Sequence, residues 1–364
     1  MSKLWFTKTY AAFLLGIVVL FCVSCGVESI TPDTPAETKP WVSKGEGFKE
    51  WGPAANGIWA TSSKPQTFEV WQWDQNTMVK QHEIALEWSV IYAAWLADDK
   101  YIAAMEINEK WPFILTDAKT GKQLQRWDNP PGWTYSLTGT SSNGKYLAML
   151  AKTWRNYSYD GERIRLDLID VNTLKLTETA TLYDKYTEGY LGRPIVTDDG
   201  KYIGVPGWVN GAAVIDVEKR KALWSKVPPN ANSLEIGAFS PDGKCMYVGG
   251  GCGHMVEMDT LTGKVLCHWL ATDSKKSENG HHVTCIAVSP DGQYVASGTG
   301  PVGEIYIWSK HTKKIRKIVA GGGTTCVVSF SPDSQNLATF SPGAIKIWPR
   351  KDWEDKKAGG KKEQ

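Results

Sequence analysis

Four side chains lie in two short segments that could hold a metal: Cys252 and His254, then His281 and His282. One thiolate with imidazoles is a donor set that suits zinc or a related divalent ion. The glycines at 249–251 and 253 argue against a fixed ligand geometry there, so no metal and no cofactor are expected. Cys245, Cys252, Cys267, Cys285 and Cys326 are an odd set, which cannot be fully paired within one chain. Cys285 and Cys326 recur at one position of consecutive repeats and read as small buried hydrophobes. Gly-x-Ser-x-Gly, His-Glu-x-x-His, P-loop, dinucleotide-binding and Cys-x-x-Cys-His patterns do not occur, and the chain is read as non-enzymatic. What remains is recognition chemistry. Trp111, Trp133, Trp154, Tyr157, Tyr159 and Trp208 fall in loop positions, where aromatic rings with a polar end serve interface hot spots or sugar stacking.

Positioning those loops is the task of a repeat. A turn-then-strand unit occurs as Ser331-Pro332-Asp333-Ser334, Ser289-Pro290-Asp291-Gly292 and Ser240-Pro241-Asp242-Gly243. Looser copies begin at Thr197, Ser141, Ala97 and Gly52, making seven. Proline sets φ, Asp bonds its own backbone, Gly takes positive φ, and β-branched or aromatic residues then resume pairing. Each copy is followed by a further strand that ends at Trp73, Thr116, Ile169, Ile215, Met258, Trp308 or Trp348. These ends are 43, 53, 46, 43, 50 and 40 residues apart, the length of a four-stranded propeller blade. Trp59, Trp73, Trp308 and Trp348 belong to strands and to packing.

The last three copies resemble WD40 repeats. Gly280 with His281 or His282 stands at that family's Gly-His pair, residues 283–288 match its inner strand, and Trp308 matches its terminal Trp. Val302 and Pro342 replace the family's turn Asp, so its His-Ser-Asp-Trp network is incomplete here. The resemblance implies an all-β fold: a seven-bladed WD40-type β-propeller with four-stranded antiparallel blades. It also implies that the between-blade loops dock a protein partner. The last copy ends after its third strand, so the segment around Trp41 and Val42 is assigned the missing outer strand.

Lys3 and Lys8 precede an apolar run at 11–23, the form of an export signal. Cys22-Val23-Ser24-Cys25-Gly26 resembles a bacterial lipobox, with Cys22 where that motif usually has Leu. The resemblance implies cleavage before Cys25, acyl chains on it, and residence in the cell envelope facing periplasm or exterior. Residues 1–24 are thus a signal peptide, 25–45 a lipidated tether and possible closing strand, 46–350 the propeller, and 351–364 a charged tail. A net charge of +2 across 364 residues gives no nucleic-acid-neutralising surface. The expected function is a non-enzymatic protein-interaction scaffold, lipid-anchored outside the bacterial cytoplasm. The alternative is a carbohydrate-binding or hydrolytic propeller acting on an envelope polymer, with a glycan as its partner.

Overall fold

The computed structural model describes residues 41–44, 48–54, 57–62, 67–85, 90–96, 100–106, 112–153, 163–183, 191–207, 211–228, 234–272, 282–300, 303–320, 327–341 and 344–354. The export signal, Cys25 and Cys326 lie outside them. No helix among the described residues is long and apolar enough to cross a membrane.

Strand β1 is Trp41–Lys44, and together with the strands after it forms seven antiparallel sheets of four. Blade one holds β2 (Phe48–Ala54), β3 (Gly57–Ser62), β4 (Thr67–Asp74) and β5 (Thr77–Ala85). Blade two holds β6 (Val90–Leu96), β7 (Tyr101–Glu106), β8 (Phe113–Asp117) and β9 (Gln123–Trp127). Blade three holds β10 (Thr134–Thr140), β11 (Tyr146–Lys152), β12 (Arg163–Asp170) and β13 (Lys175–Tyr183). Blade four holds β14 (Ile195–Val196), β15 (Tyr202–Pro206), β16 (Ala212–Asp216) and β17 (Lys221–Lys226). Blade five holds β18 (Leu234–Phe239), β19 (Cys245–Gly250), β20 (His254–Asp259) and β21 (Val265–Leu270). Blade six holds β22 (Val283–Val288), β23 (Tyr294–Thr299), β24 (Glu304–Ser309) and β25 (Ile315–Val319). Blade seven is β26 (Val327–Phe330), β27 (Asn336–Ser341), β28 (Ala344–Pro349) and, as its outer strand, β1. Trp41 faces Ile347 and Lys44 faces Ala344 in that last pairing.

Strand alternation explains how blades stack. In β24, Ile305 and Ile307 pack against blade seven, whereas Tyr306 and Trp308 pack against blade five. A sheet so buried on both faces needs apolar residues at both parities, which is what β19, β23 and β24 carry. Each apolar cluster is shared by two neighbouring blades, from the two-three pair around to the seven-one pair of Phe340, Ile345 and Met78. Trp308 is fully buried and stacks on Trp269 of blade five, with ring centroids 4.4 Å apart. The inner strands touch in sequence, β2 to β6, β10, β14, β18, β22 and β26, and β26 touches β2 again. The ring is closed.

Packing continues to Trp353, three residues past the expected boundary at 350. Residues Arg350–Trp353 form a helical turn, and Trp353 is only 2% exposed between Tyr294 and Phe330. Its indole Nε1 donates to the carbonyl of Trp348 at 3.1 Å. The aromatic residue lies among Lys and Asp, so charge patterning alone assigns it to a solvated tail.

The turns repeat atom for atom. Ser289 Oγ donates to Asp291 Oδ1 at 2.6 Å and accepts from the Tyr294 amide at 2.9 Å, while the Gln293 amide donates to Asp291 Oδ1 at 3.0 Å. The same three bonds recur at Ser240, Ser331, Thr197 and Ser141, where Asn143 replaces Asp. At the turn between third and fourth strands, Asp117 of blade two and Asp259 of blade five accept from the backbone and hydroxyl of Thr120 and Thr262. These bonds favour the carboxylate. The hydroxyls of Thr120, Ser240, Thr262 and Ser331 hold Asp117, Asp242, Asp259 and Asp333 below the ordinary Asp range, and Lys219 does so for Asp216. At Asp199 and Asp291 burial pushes upward, but the hydrogen bonds outweigh it. A depressed folded-state value means that the unfolded chain takes up protons first as pH falls. Stability contributed by these seven is therefore whole above about pH 4 and drains away below it. Acid titration followed by circular dichroism will show a cooperative loss starting near that pH, displaced upward in a chain carrying Asp→Asn at 117, 242, 259 and 333, which lacks the stability of those carboxylates from the outset. An unmoved midpoint would remove the turns from the acid response.

Candidate functional site

Antiparallel order within a blade sends two sets of connections to each end of the ring. The Ser-Pro-Asp turns and the Asp117 and Asp259 turns gather on one end. The opposite end collects the links between blades and the connections between second and third strands. On this link face the described groups are Trp133, the Gly251–Gly253 turn, His254, His268 and the exposed His282.

Trp133 is half-buried and packs on the apolar cluster of blades two and three, with its amide donating to the Pro130 carbonyl at 2.9 Å. Next to it the Tyr135 amide donates to Asn129 Oδ1 at 2.8 Å, which fixes the link. Trp111, Trp154, Tyr157, Tyr159 and Trp208 fall between second and third strands of blades two, three and four, outside the described residues. Trp73, Trp308 and Trp348 are in packing positions. The Trp348 indole donates to Thr339 Oγ1 at 3.0 Å, whereas Trp308 Nε1 has no partner among the described residues. One half of the Trp-to-hydroxyl link thus survives in blade seven and is missing in blade six. Cys285 packs against the cluster of blades six and seven, and burial pushes its thiol up to about 12. Cys245, Cys252, Cys267 and Cys285 form no disulfide among the described residues.

Of the four side chains drawn together from the sequence, His281 lies outside the described residues. No group of three or more metal-ligating side chains occurs among the described residues. His254 instead meets His268 of the neighbouring outer strand, with Nδ1 and Nε2 2.8 Å apart. The ring planes differ by 6° and the centroids stand 5.0 Å apart, so the rings meet nitrogen to nitrogen, edge on, and share one N–H···N bond. Burial pulls both rings below the ordinary His range, His254 to about 4 with the neighbouring ring adding to the effect. The pair is neutral at pH 7. His268 escapes sequence reading because strand register, not spacing, brings it there: Val256 faces His268 and His254 faces Leu270.

Three buried carboxylates were also not legible. Asp167 accepts from the Tyr135 hydroxyl at 2.6 Å and from Arg165 at 2.8 Å, and Arg165 reaches Glu178 at 3.2 Å. Glu257 accepts from the Tyr247 hydroxyl at 3.1 Å and lies 3.4 Å from Lys310. Glu304 accepts from the Tyr306 hydroxyl at 2.7 Å and pairs with Lys317. Burial pushes Asp167 upward against the bonds from Tyr135 and Arg165, and it pushes the Tyr135 and Tyr247 hydroxyls up as well. Each carboxylate has a tyrosine and a cation of its own, and the three belong to blades three, five and six. They satisfy buried polar groups between blades and form no common centre.

Residues 273–309 match the family model described as WD domain, G-beta repeat. The chain is 26% identical over 149 residues to a WD repeat-containing protein of Synechocystis sp., a match covering 41% of this chain and 40% of that protein. It is 35% identical over 74 residues to the periodic tryptophan protein 2 homolog of Dictyostelium discoideum, covering 20% of this chain and 8% of that one. The matched stretches thus span less than half the length of either relative. Among solved structures, a chain of the mitotic checkpoint complex superposes with a TM-score of 0.60 at 17% identity, over 92% of this chain and 99% of that one. The chain carries a WD40 repeat, has a WD-repeat homologue, and folds as a seven-bladed propeller of the WD40 type.

Proposed function

We propose that this propeller is a non-enzymatic protein-interaction scaffold that docks its partner on the link face and is held at the outer side of a bacterial membrane by acyl chains on Cys25. The observation that carries the docking part is the closed ring itself. Seven blades bring every interblade link to one end, so residues distant in sequence are presented together on a rigid base. WD40 propellers generally serve as protein-interaction scaffolds. The anchor rests on the lipobox-like Cys22-Val23-Ser24-Cys25-Gly26, since two or more acyl chains hold a protein where one does not.

A photo-crosslinking residue at His282, exposed on the link face, will capture a protein in intact cells, and the same residue at Lys244, exposed on the turn face, will not. Capture from position 244 alone, or strong glycan binding without any protein capture, overturns the docking assignment. Cys25→Ala will move the protein from the membrane to the soluble fraction with its thermal melt unchanged. Intact mass of the mature wild-type chain decides the anchor: a first residue other than 25, with no acyl mass, removes it.

A further inference from the structure

The pair His254 and His268 is used neither by the fold's turns nor by the proposed docking. Both rings are half-buried, so ions reach them while the protein holds them in place. His254 opens β20 directly after the Gly251–Gly253 turn, in which Cys252 has φ +57°. That turn rests against β22, and the Ala271 amide donates to the Gly253 carbonyl at 2.7 Å. A side chain on Gly253 would lie 2.9 Å from Thr272 Cγ2. The backbone that carries the rings is therefore fixed from both sides.

We propose that His254 Nδ1 and His268 Nε2 form a two-nitrogen site for a tetragonal divalent cation, Cu²⁺ before Ni²⁺. The distance selects the metal. Two nitrogens about 2.0 Å from an ion and at right angles to each other stand ~2.8 Å apart, whereas a tetrahedral zinc site spreads them to roughly 3.3 Å. The observed separation is 2.8 Å. Imidazole affinity among the first-row divalent ions peaks at Cu²⁺, which also accepts water in the remaining positions of its plane. Protons compete weakly, because burial keeps both rings neutral at pH 7. The one proton now shared between the rings is relocated to the far nitrogen of the ring that donates it. Turning each ring by about 45° then brings both lone pairs onto the ion, and no redox step is involved.

Titration of the full chain with CuCl₂ at pH 7.5 tests the site, read by electron paramagnetic resonance. One equivalent with a tetragonal signal and two nitrogen couplings is expected. Affinity will fall at least about tenfold in His254→Gln and in His268→Gln. It will persist when His281 and His282, the other adjacent pair, are both replaced by Gln. Should the Gln variants fold poorly, selective paramagnetic broadening of the His254 and His268 ring resonances in the unsubstituted protein gives the same answer. Undiminished binding in both single variants, broadening confined to other histidines, or no stoichiometric Cu²⁺ uptake overturns the proposal. None of these outcomes bears on crosslinking at position 282, so the two assignments fail independently.

Discussion

Deleting residues 40–44 will lower the melting temperature far more than deleting residues 355–364, and deleting 350–364 will also cost heavily. The first deletion removes β1, whose four residues pair with Ile347, Lys346, Ile345 and Ala344. Its loss leaves β28 as a bare edge in the blade where the ring closes, and blades elsewhere contact only their neighbours. The third deletion strips Trp353 from between Tyr294 and Phe330, and with it Arg350, whose guanidinium bonds Asp291 at 2.8 Å and stacks over the Tyr294 ring at 4.6 Å. Removing a buried Trp costs about 3–5 kcal/mol. For a body of this size that is on the order of 10 °C. Both closing devices therefore act on the blades flanking the seam, one by strand pairing and one by a wedge. Thermal melts of the three truncations check the ranking. Equal melting temperatures for the 40–44 and 355–364 deletions would show that strand β1 does not hold the ring shut.

Gly139→Ala will destabilise the protein by at least about 3 kcal/mol, out of proportion to one added methyl group. Blade three meets blade four here backbone to backbone. A Cβ on Gly139 would lie 1.6 Å from the Pro194 carbonyl oxygen, and one on Gly192 would lie 1.7 Å from that of Glu235. Carbonyl groups of strand ends cannot swing aside as a side chain can, so the inner strands must part. Gly292→Ala is the control. That residue has φ +68° but nothing within 4 Å of the added carbon, so only the left-handed backbone penalty of about 1 kcal/mol remains. Urea denaturation of the two variants separates the effects. A Gly139→Ala loss no larger than that of Gly292→Ala would mean that the inner strands are not in contact at this seam.

The sequence by itself determined the repeat and its count. Ser289, Asp291 and Gly292 close their turn through bonds within six residues, so the information is local and survives in Ser240, Thr197 and Ser141 with substitutions. The strand ends at Trp73, Thr116, Ile169, Ile215, Met258, Trp308 and Trp348 fall in the third strand of each sheet, as periodicity requires. What only the tertiary structure decided are contacts between segments far apart in the chain. The His254 ring meets His268 through register across two strands, a partner that the spacing of the histidines does not suggest. Trp353 sits in a charged stretch, yet its ring finds a slot made by Tyr294 and Phe330 of two other strands. The glycines at 139 and 192 look like ordinary strand weaknesses until the neighbouring blade is placed against them. Turn chemistry is written in adjacent residues and can be read there. Which side chains share a seam depends on how the blades close into a ring, and local patterning carries no term for that.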